Sequence, residues 1–329
     1  MKKSLITLAL VLLGLNAAMA QSTLLATLSH EGEASLFYGY NAFVDAMAAS
    51  DHGDVITLSS GLFAPSTITK AVTIRGAAMY DDAENGILKT QLNGNVEIRI
   101  PDETNGNSLT MEYLYLENLY NYSTLQNPKF QHLRVRSFNT DASGGWVKNA
   151  LLANISGAIE DWYSGECSLT IINSDISRLC YHYNACQCNV INSVVRFESA
   201  YYINNYASYI TFKNCIFPNP AGVLNGTNTC DHCLAIVEEG NSDILANMIG
   251  TNWTVNRSSD IFTGEGLYVL TAGAGQTYLG TDGEQVGIWG GPMPWQTTAL
   301  NPTITKCQVS NRTTSDGKLS VEIEVAGVE

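Results

Sequence analysis

The chain is poor in charge: only 15% of its 329 residues are Asp, Glu, Lys or Arg. Basic residues are scarcer still, with 17 Lys and Arg against 31 Asp and Glu, and they are not clustered. That balance argues against a nucleic-acid or anionic-membrane partner, because both are held by grouped cations. After the first 20 residues no apolar run is long enough to span a bilayer, so no transmembrane segment is expected in the mature chain. No sustained 3.6-residue periodicity is visible, which excludes helical-hairpin repeats. No cysteine occurs before Cys167, so residues 21–23 offer no lipid-attachment thiol. No Ser/His/Asp arrangement can be argued, since His132, His182 and His232 are scattered, and Asp141, Asp161, Asp175 and Glu198 do not share a register.

A recurring motif is present instead, written apolar–x–Asn or Ser. It runs through Leu116-Glu117-Asn118, Val135-Arg136-Ser137, Leu152-Ala153-Asn154, Ile171-Ile172-Asn173, Val190-Ile191-Asn192 and Phe212-Lys213-Asn214. The third positions are separated by 19, 17, 19, 19 and 22 residues. Each unit holds short apolar alternations such as Leu169-Thr170-Ile171, which suit strands of a few residues. A period near 20 with an Asn at a fixed turn predicts an all-β parallel solenoid, its apolar residues stacked inside and its asparagines hydrogen-bonded from coil to coil. In that register Leu133, Val135, Ile171, Val190, Ile210 and Phe212 are core, and Asn154, Asn173, Asn192 and Asn214 share one corner.

The first 20 residues, MKKSLITLALVLLGLNAAMA, place two lysines before an apolar run and end in Ala18-Met19-Ala20. This is the pattern of a cleaved signal peptide, so a mature protein beginning near Gln21 is expected to be exported to the periplasm, the outer surface of a Gram-negative cell or beyond. Loss of Lys2 and Lys3 would move the formal charge from −14 to −16. Residues 21–300 are read as the solenoid with its N-terminal cap. Residues 301–329 are read as a hairpin, with Thr303-Ile304-Thr305 and Leu319–Val325 alternating around Ser315-Asp316-Gly317.

Both ends resemble a known superfamily. A short amphipathic segment carrying Phe43, Ala46 and Met47 precedes Gly53-Asp54-Val55-Ile56-Thr57-Leu58, Ser60-Gly61-Leu62-Phe63 and Lys70-Ala71-Val72-Thr73-Ile74-Arg75-Gly76. Near the other end stand Tyr278-Leu279-Gly280-Thr281-Asp282-Gly283 and Gly287-Ile288-Trp289-Gly290-Gly291. These stretches resemble the N-terminal cap, first coil and terminal segment of secreted bacterial right-handed parallel β-helix proteins, the pectin-lyase-like superfamily. The resemblance implies a helical cap over the first coil, and Asp282 as a turn-capping residue that closes the solenoid. It also raises polysaccharide lyase or glycoside hydrolase activity as an alternative function, with Ca²⁺ as the cofactor of a lyase. Otherwise no cofactor and no metal are expected.

For catalysis the register brings together only Glu117, Arg134 and Arg136, read first as a solvated ion pair. Aromatics carry the stronger surface signal. Tyr113 and Tyr115 are two apart on a strand and are expected to point the same way, with Tyr201 and Tyr202 in a second cluster. Flat aromatic faces suit sugars, so the expected partner is a polysaccharide or cell-surface glycan, bound without catalysis. Lyase or hydrolase activity and a purely structural envelope role remain as alternatives. Seven of the eight cysteines lie between Cys167 and Cys233. Disulfides, a metal site and buried thiols all remain open, with Cys167 and Cys186 on adjacent coils and Cys230 and Cys233 as further disulfide candidates.

Overall fold

The computed structural model describes residues 24–83, 87–161, 167–181, 187–197, 205–218, 222–238, 244–257, 261–264, 267–296, 303–313 and 319–326. They form a right-handed parallel β-helix of about nine turns. One column of apolar residues shows how the sequence builds it. Ile56, Ile74, Met111, Phe130, Leu152, Ile171, Val190, Phe212 and Cys230 lie in register on successive coils, and all are buried. All but Leu152, whose neighbour Ala153 is equally buried, are flanked along the strand by less buried residues, as period-two alternation requires. Burying one such side chain contributes about 1.5–3 kcal/mol, and the column repeats that gain at every turn. The core residues named from the repeat, Leu133, Val135, Ile171, Val190, Ile210 and Phe212, are all buried.

Three faces wrap this core. The first contains Val55–Leu58, Thr73–Arg75, Leu169–Ile172, Cys188–Ile191, Ile210–Lys213 and Thr229–Asp231, with the opening residues of Thr110–Asn121, Lys129–Asn139 and Ala150–Glu160. The second runs from Gly61–Phe63 through Val194–Val195, Ile216–Pro218 and Leu234–Val237 to Trp253–Asn256. The third holds Thr67–Ile68, the end of Thr90–Ile98 and the ends of the long strands down to Asp175–Cys180. The repeat spacing reads residues 77–95 and 218–233 as excursions from the coils, and both are shorter than that. Residues 90–95 belong to the strand Thr90–Ile98, and residues 229–231 form the strand Thr229–Asp231.

The N-terminal end is sealed by more than the expected helix. Strands β1 (Leu25–His30) and β2 (Glu33–Tyr38) make a hairpin, turning at Glu31 and Gly32 with φ of 48° and 89°. Two positive φ values in a two-residue loop match the right-handed twist of the flanking strands. β1 pairs antiparallel with β3 (Val55–Leu58), so the parallel ladder ends there. Helix α1 (Ala42–Ala49) then lays Ala42, Phe43, Ala46 and Met47 over the core. Asp54 ties the two parts together, accepting from the Asp51 backbone N–H and meeting His30 Nδ1, both at 2.8 Å. At the other end Thr303–Thr313 and Leu319–Ala326 form the expected antiparallel hairpin.

Truncating the seal should be costly where truncating its rim is not. Phe43→Ala is expected to lower unfolding free energy by about 3–5 kcal/mol in a urea titration. Leu36→Ala, on exposed β2, is expected to change it by less than about 0.5 kcal/mol. Equal effects would remove α1 as the plug of the core.

Candidate functional site

The corner between the first and second faces is a column of left-handed residues. Tyr113, His132, Asn154, Asn173, Asn192, Asn214 and His232 have φ of 57°, 49°, 53°, 46°, 46°, 56° and 52°. Asn tolerates this conformation better than most residues, which is why it recurs. The four predicted asparagines do share one corner. The first two repeats were set in the wrong place, however. Asn118 and Ser137 pair with each other in the third face, and the true corner residues of their coils are Tyr113 and His132.

The asparagines form little of the expected amide ladder. Among the described residues, only Asn214 Nδ2 reaches a neighbouring corner amide, Asn192 Oδ1, at 3.4 Å. Most of their bonds instead hold residues 280–296, which cross the coils from the eighth back to the fifth. Asn214 Oδ1 accepts from Thr281 N–H at 3.0 Å, and Asn173 Nδ2 donates to the carbonyls of Ile288 (3.0 Å) and Gly290 (2.5 Å). Asn154 donates to Met293 O at 3.2 Å and accepts from Gln296 N–H at 3.0 Å. A Cβ on Gly291 would meet the Asn192 amide at 2.6 Å, so only glycine lets the chain pass there. Asp282 caps its own turn, accepting from Glu284 N–H at 3.1 Å, and meets Asn214 Nδ2 at 3.3 Å.

This crossing segment covers the second face. Val194, Ile216, Leu234 and Ile236 project away from the solenoid core yet are buried beneath Ile261, Leu270, Val286, Ile288 and Trp295. Met79 joins this outer cluster from the excursion after Gly76. The signal was in the sequence: Val194-Val195, Ile216-Phe217 and Leu234-Ala235-Ile236-Val237 do not alternate, as expected of strands buried on both sides. At its margin Asp175 is paired with Arg196 at 2.9 Å. Burial raises the Asp175 carboxyl above its ordinary value, against the lowering pull of Arg196.

The third face has no such cover among the described residues. A polar cleft of about 470 Å³ is lined by Asn118, Tyr120, Arg136, Ser137, Ala158, Ser177 and Arg178. Four successive coils meet here, with Asn118, Ser137, Ala158 and Arg178 in one register row. The small Ser137 and Ala158 form the floor. Arg178 is paired with Glu160, whereas Arg136 is exposed and joins none of the ion pairs among the described residues. Asn118 Nδ2 is anchored on Asn95 Oδ1 at 2.9 Å. The Tyr120 and Tyr122 rings lie 6.4 Å apart, and the Arg99 guanidinium sits 3.9 Å from the Tyr122 centroid.

The sequence-derived candidates are dispersed around this geometry. The corner at Tyr113 breaks strand alternation, so Tyr113 and Tyr115 do not make one platform. Tyr113 stacks on His132 at 4.5 Å, while Tyr115 has Arg134 at 5.0 Å and Lys89 at 5.8 Å from its ring. Arg134 also lies 5.1 Å from the Tyr80 ring. The expected ion pair of Glu117 with Arg134 or Arg136 is not among those formed by the described residues. Tyr201, Tyr202 and Cys186 lie outside the described residues. Cys167 is buried, with its Sγ 3.4 Å from the Val147 backbone nitrogen. Cys230 and Cys233 are buried and unlinked. Among the described residues no group of three or more His, Cys, Asp or Glu is placed to hold a metal ion, and no helix is long and apolar enough to cross a membrane.

No family model, no curated protein and no solved structure matches this chain.

His132 gives the corner a pH dependence. Its ring is buried against Tyr113 and its Nδ1 has no hydrogen-bond partner among the described residues. Burial lowers its pKa below 6.5, outweighing the raising effect of Glu112. The unfolded chain therefore binds this proton more readily. The group's contribution to stability is whole above 6.5 and declines as pH falls through 6.5 toward the folded value. His132→Asn, the residue already used at Asn154, should flatten that part of the melting-temperature decline between about pH 7 and about pH 5. An unchanged profile in the variant would show that His132 does not titrate on unfolding.

Proposed function

We propose that this is an exported, non-catalytic glycan-binding protein whose working surface is the cleft on the third face. The observation that carries the reading is the composition of that cleft. It brings a tyrosine, two arginines and four small or amide side chains together on a rigid stack of strands. A tyrosine face with a polar tip suits the apolar side of a pyranose, and Ser and Asn suit its hydroxyls. The unpaired, exposed Arg136 suits a carboxylate, so the glycan is of the acidic class. On a chain with net charge −14, Arg136 beside the ion-paired Arg178 offers one site for a carboxylate rather than a field for any polyanion. Among the described residues no carboxylate lines the cleft, and Glu160 beside it is engaged by Arg178. The leader-like residues 1–20 support export.

Few contacts of this kind give weak binding, about micromolar or poorer, and make several coils act together. Tyr120→Ala with Arg136→Ala is expected to reduce retention on immobilised acidic polysaccharide about tenfold or more, with an unchanged melting temperature. The same substitutions at Tyr113 and Tyr115 should alter the melt before they alter retention. Undiminished binding by the Tyr120/Arg136 double variant would discard the cleft. Release of unsaturated uronide products would discard the non-catalytic reading in favour of a lyase.

A further inference from the structure

In the last four coils the residue that follows the left-handed corner forms a second column, read Ser174, Ser193, Cys215, Cys233. Its members are equivalent in their bonding. Ser174 Oγ and Ser193 Oγ each donate to the carbonyl two residues back at 2.8 Å, and Cys215 Sγ and Cys233 Sγ do the same at 3.3 and 3.5 Å. Each also accepts a backbone N–H from the coil before: Ile155 to Ser174 at 3.0 Å, Ser174 to Ser193 at 3.1 Å, Ser193 to Cys215, and Cys215 to Cys233. Register fixes the two cysteines against each other, since Lys213 pairs with Asp231 and Ile216 with Leu234. Parallel neighbours are about 4.8 Å apart, inside the roughly 4.4–6.8 Å Cα range that a disulfide accepts. A third thiol is adjacent. Cys230 stands in the core column opposite Phe212, and the Cys233 thiol is hydrogen-bonded to both Cys215 and Cys230.

We infer that Cys215 and Cys233 are a disulfide-forming pair that fastens the eighth coil to the ninth, with Cys230 remaining as the third, unlinked thiol. The choice of pair follows from geometry. Cys215 and Cys233 share one orientation on stacked strands, so a bond between them follows the existing ladder. Cys230 and Cys233 flank the corner at His232, with φ of 52°, and linking them would pull on that corner.

The exchange needs a thiolate, a disulfide donor and a second thiol in reach. The thiolate of either Cys215 or Cys233 opens a disulfide donor such as oxidised glutathione, forming a mixed disulfide and releasing one donor thiol. The other cysteine, losing its proton to the leaving group, then displaces the second donor thiol and closes the protein bond. Two protein thiols and one donor disulfide become one protein disulfide and two donor thiols. All three cysteines are essentially fully buried, so the bond is made while these coils close, not on the finished solenoid.

The experiment uses the full chain, reduced and unfolded, then refolded either with a glutathione redox pair or with excess dithiothreitol. Remaining thiols are alkylated in denaturant. Chymotrypsin and Asp-N, cutting after Leu224 and before Asp231, separate the three cysteines for mass spectrometry. Expected is a Cys215–Cys233 linked peptide with Cys230 alkylated, and a melting temperature roughly 5 °C or more above the reduced form. That difference should vanish in Cys215→Ser and in Cys233→Ser, and persist in Cys230→Ser. Both of the first two variants should fold, because serine already serves the same column at Ser174 and Ser193. Three alkylated thiols after oxidative refolding, or a Cys230–Cys233 link, would overturn the assignment.

Discussion

The corner at positive φ is the constraint on which the molecule depends. A coil of about 20 residues can close only if the chain turns sharply between its first and second faces, and the turn must fall at the same place in every coil. A left-handed residue achieves this at a cost of order 1–3 kcal/mol for most side chains, less for Asn. In return it aligns three columns. Core side chains precede the corner, and the Ser and Cys bond column follows it. At the corner itself, amides face outward and are free to hold another segment of chain.

That arrangement divides the surface. The second face is given over to self-association, its apolar stripe sealed by residues 280–296 together with Ile261 and Leu270. The third face carries Arg136, Arg178 and Tyr120 and has no such cover among the described residues. A solenoid with one outward face buried has only its remaining faces for a partner, which narrows the search for function more than the fold class does.

The repeat and the core were legible because both rest on local pattern: the spacing of Asn154, Asn173, Asn192 and Asn214, and the alternation around Ile171, Val190 and Phe212. The pattern misled at Asn118, where an Asn stands four or more residues beyond the real corner. Nothing in single-residue preference would place a bulky Tyr113 in the left-handed region. The cap helix was legible from Phe43, Ala46 and Met47, but the preceding hairpin was not, since β2 is exposed at every position but Phe37 and is held by its pairing to β1 rather than by a buried apolar face. The cleft could not be read in advance. Asn118, Ser137, Ala158 and Arg178 come from four coils, and only the correct register sets them side by side.

The crossing segment also changes when the molecule can be complete. Most contacts in a stack of coils join residues about 20 apart, so coils can add one by one as the chain emerges. Asn173 and Ile288 are separated by 115 positions, and Asn154 and Gln296 by 142. Until those late residues arrive, Val194, Ile216 and Leu234 face solvent as a contiguous apolar strip beside finished turns. Loop closure over such spans is slow relative to adding a coil. During synthesis the interval is therefore one of exposure, and a helper that shields hydrophobic strips would act on this side of the chain.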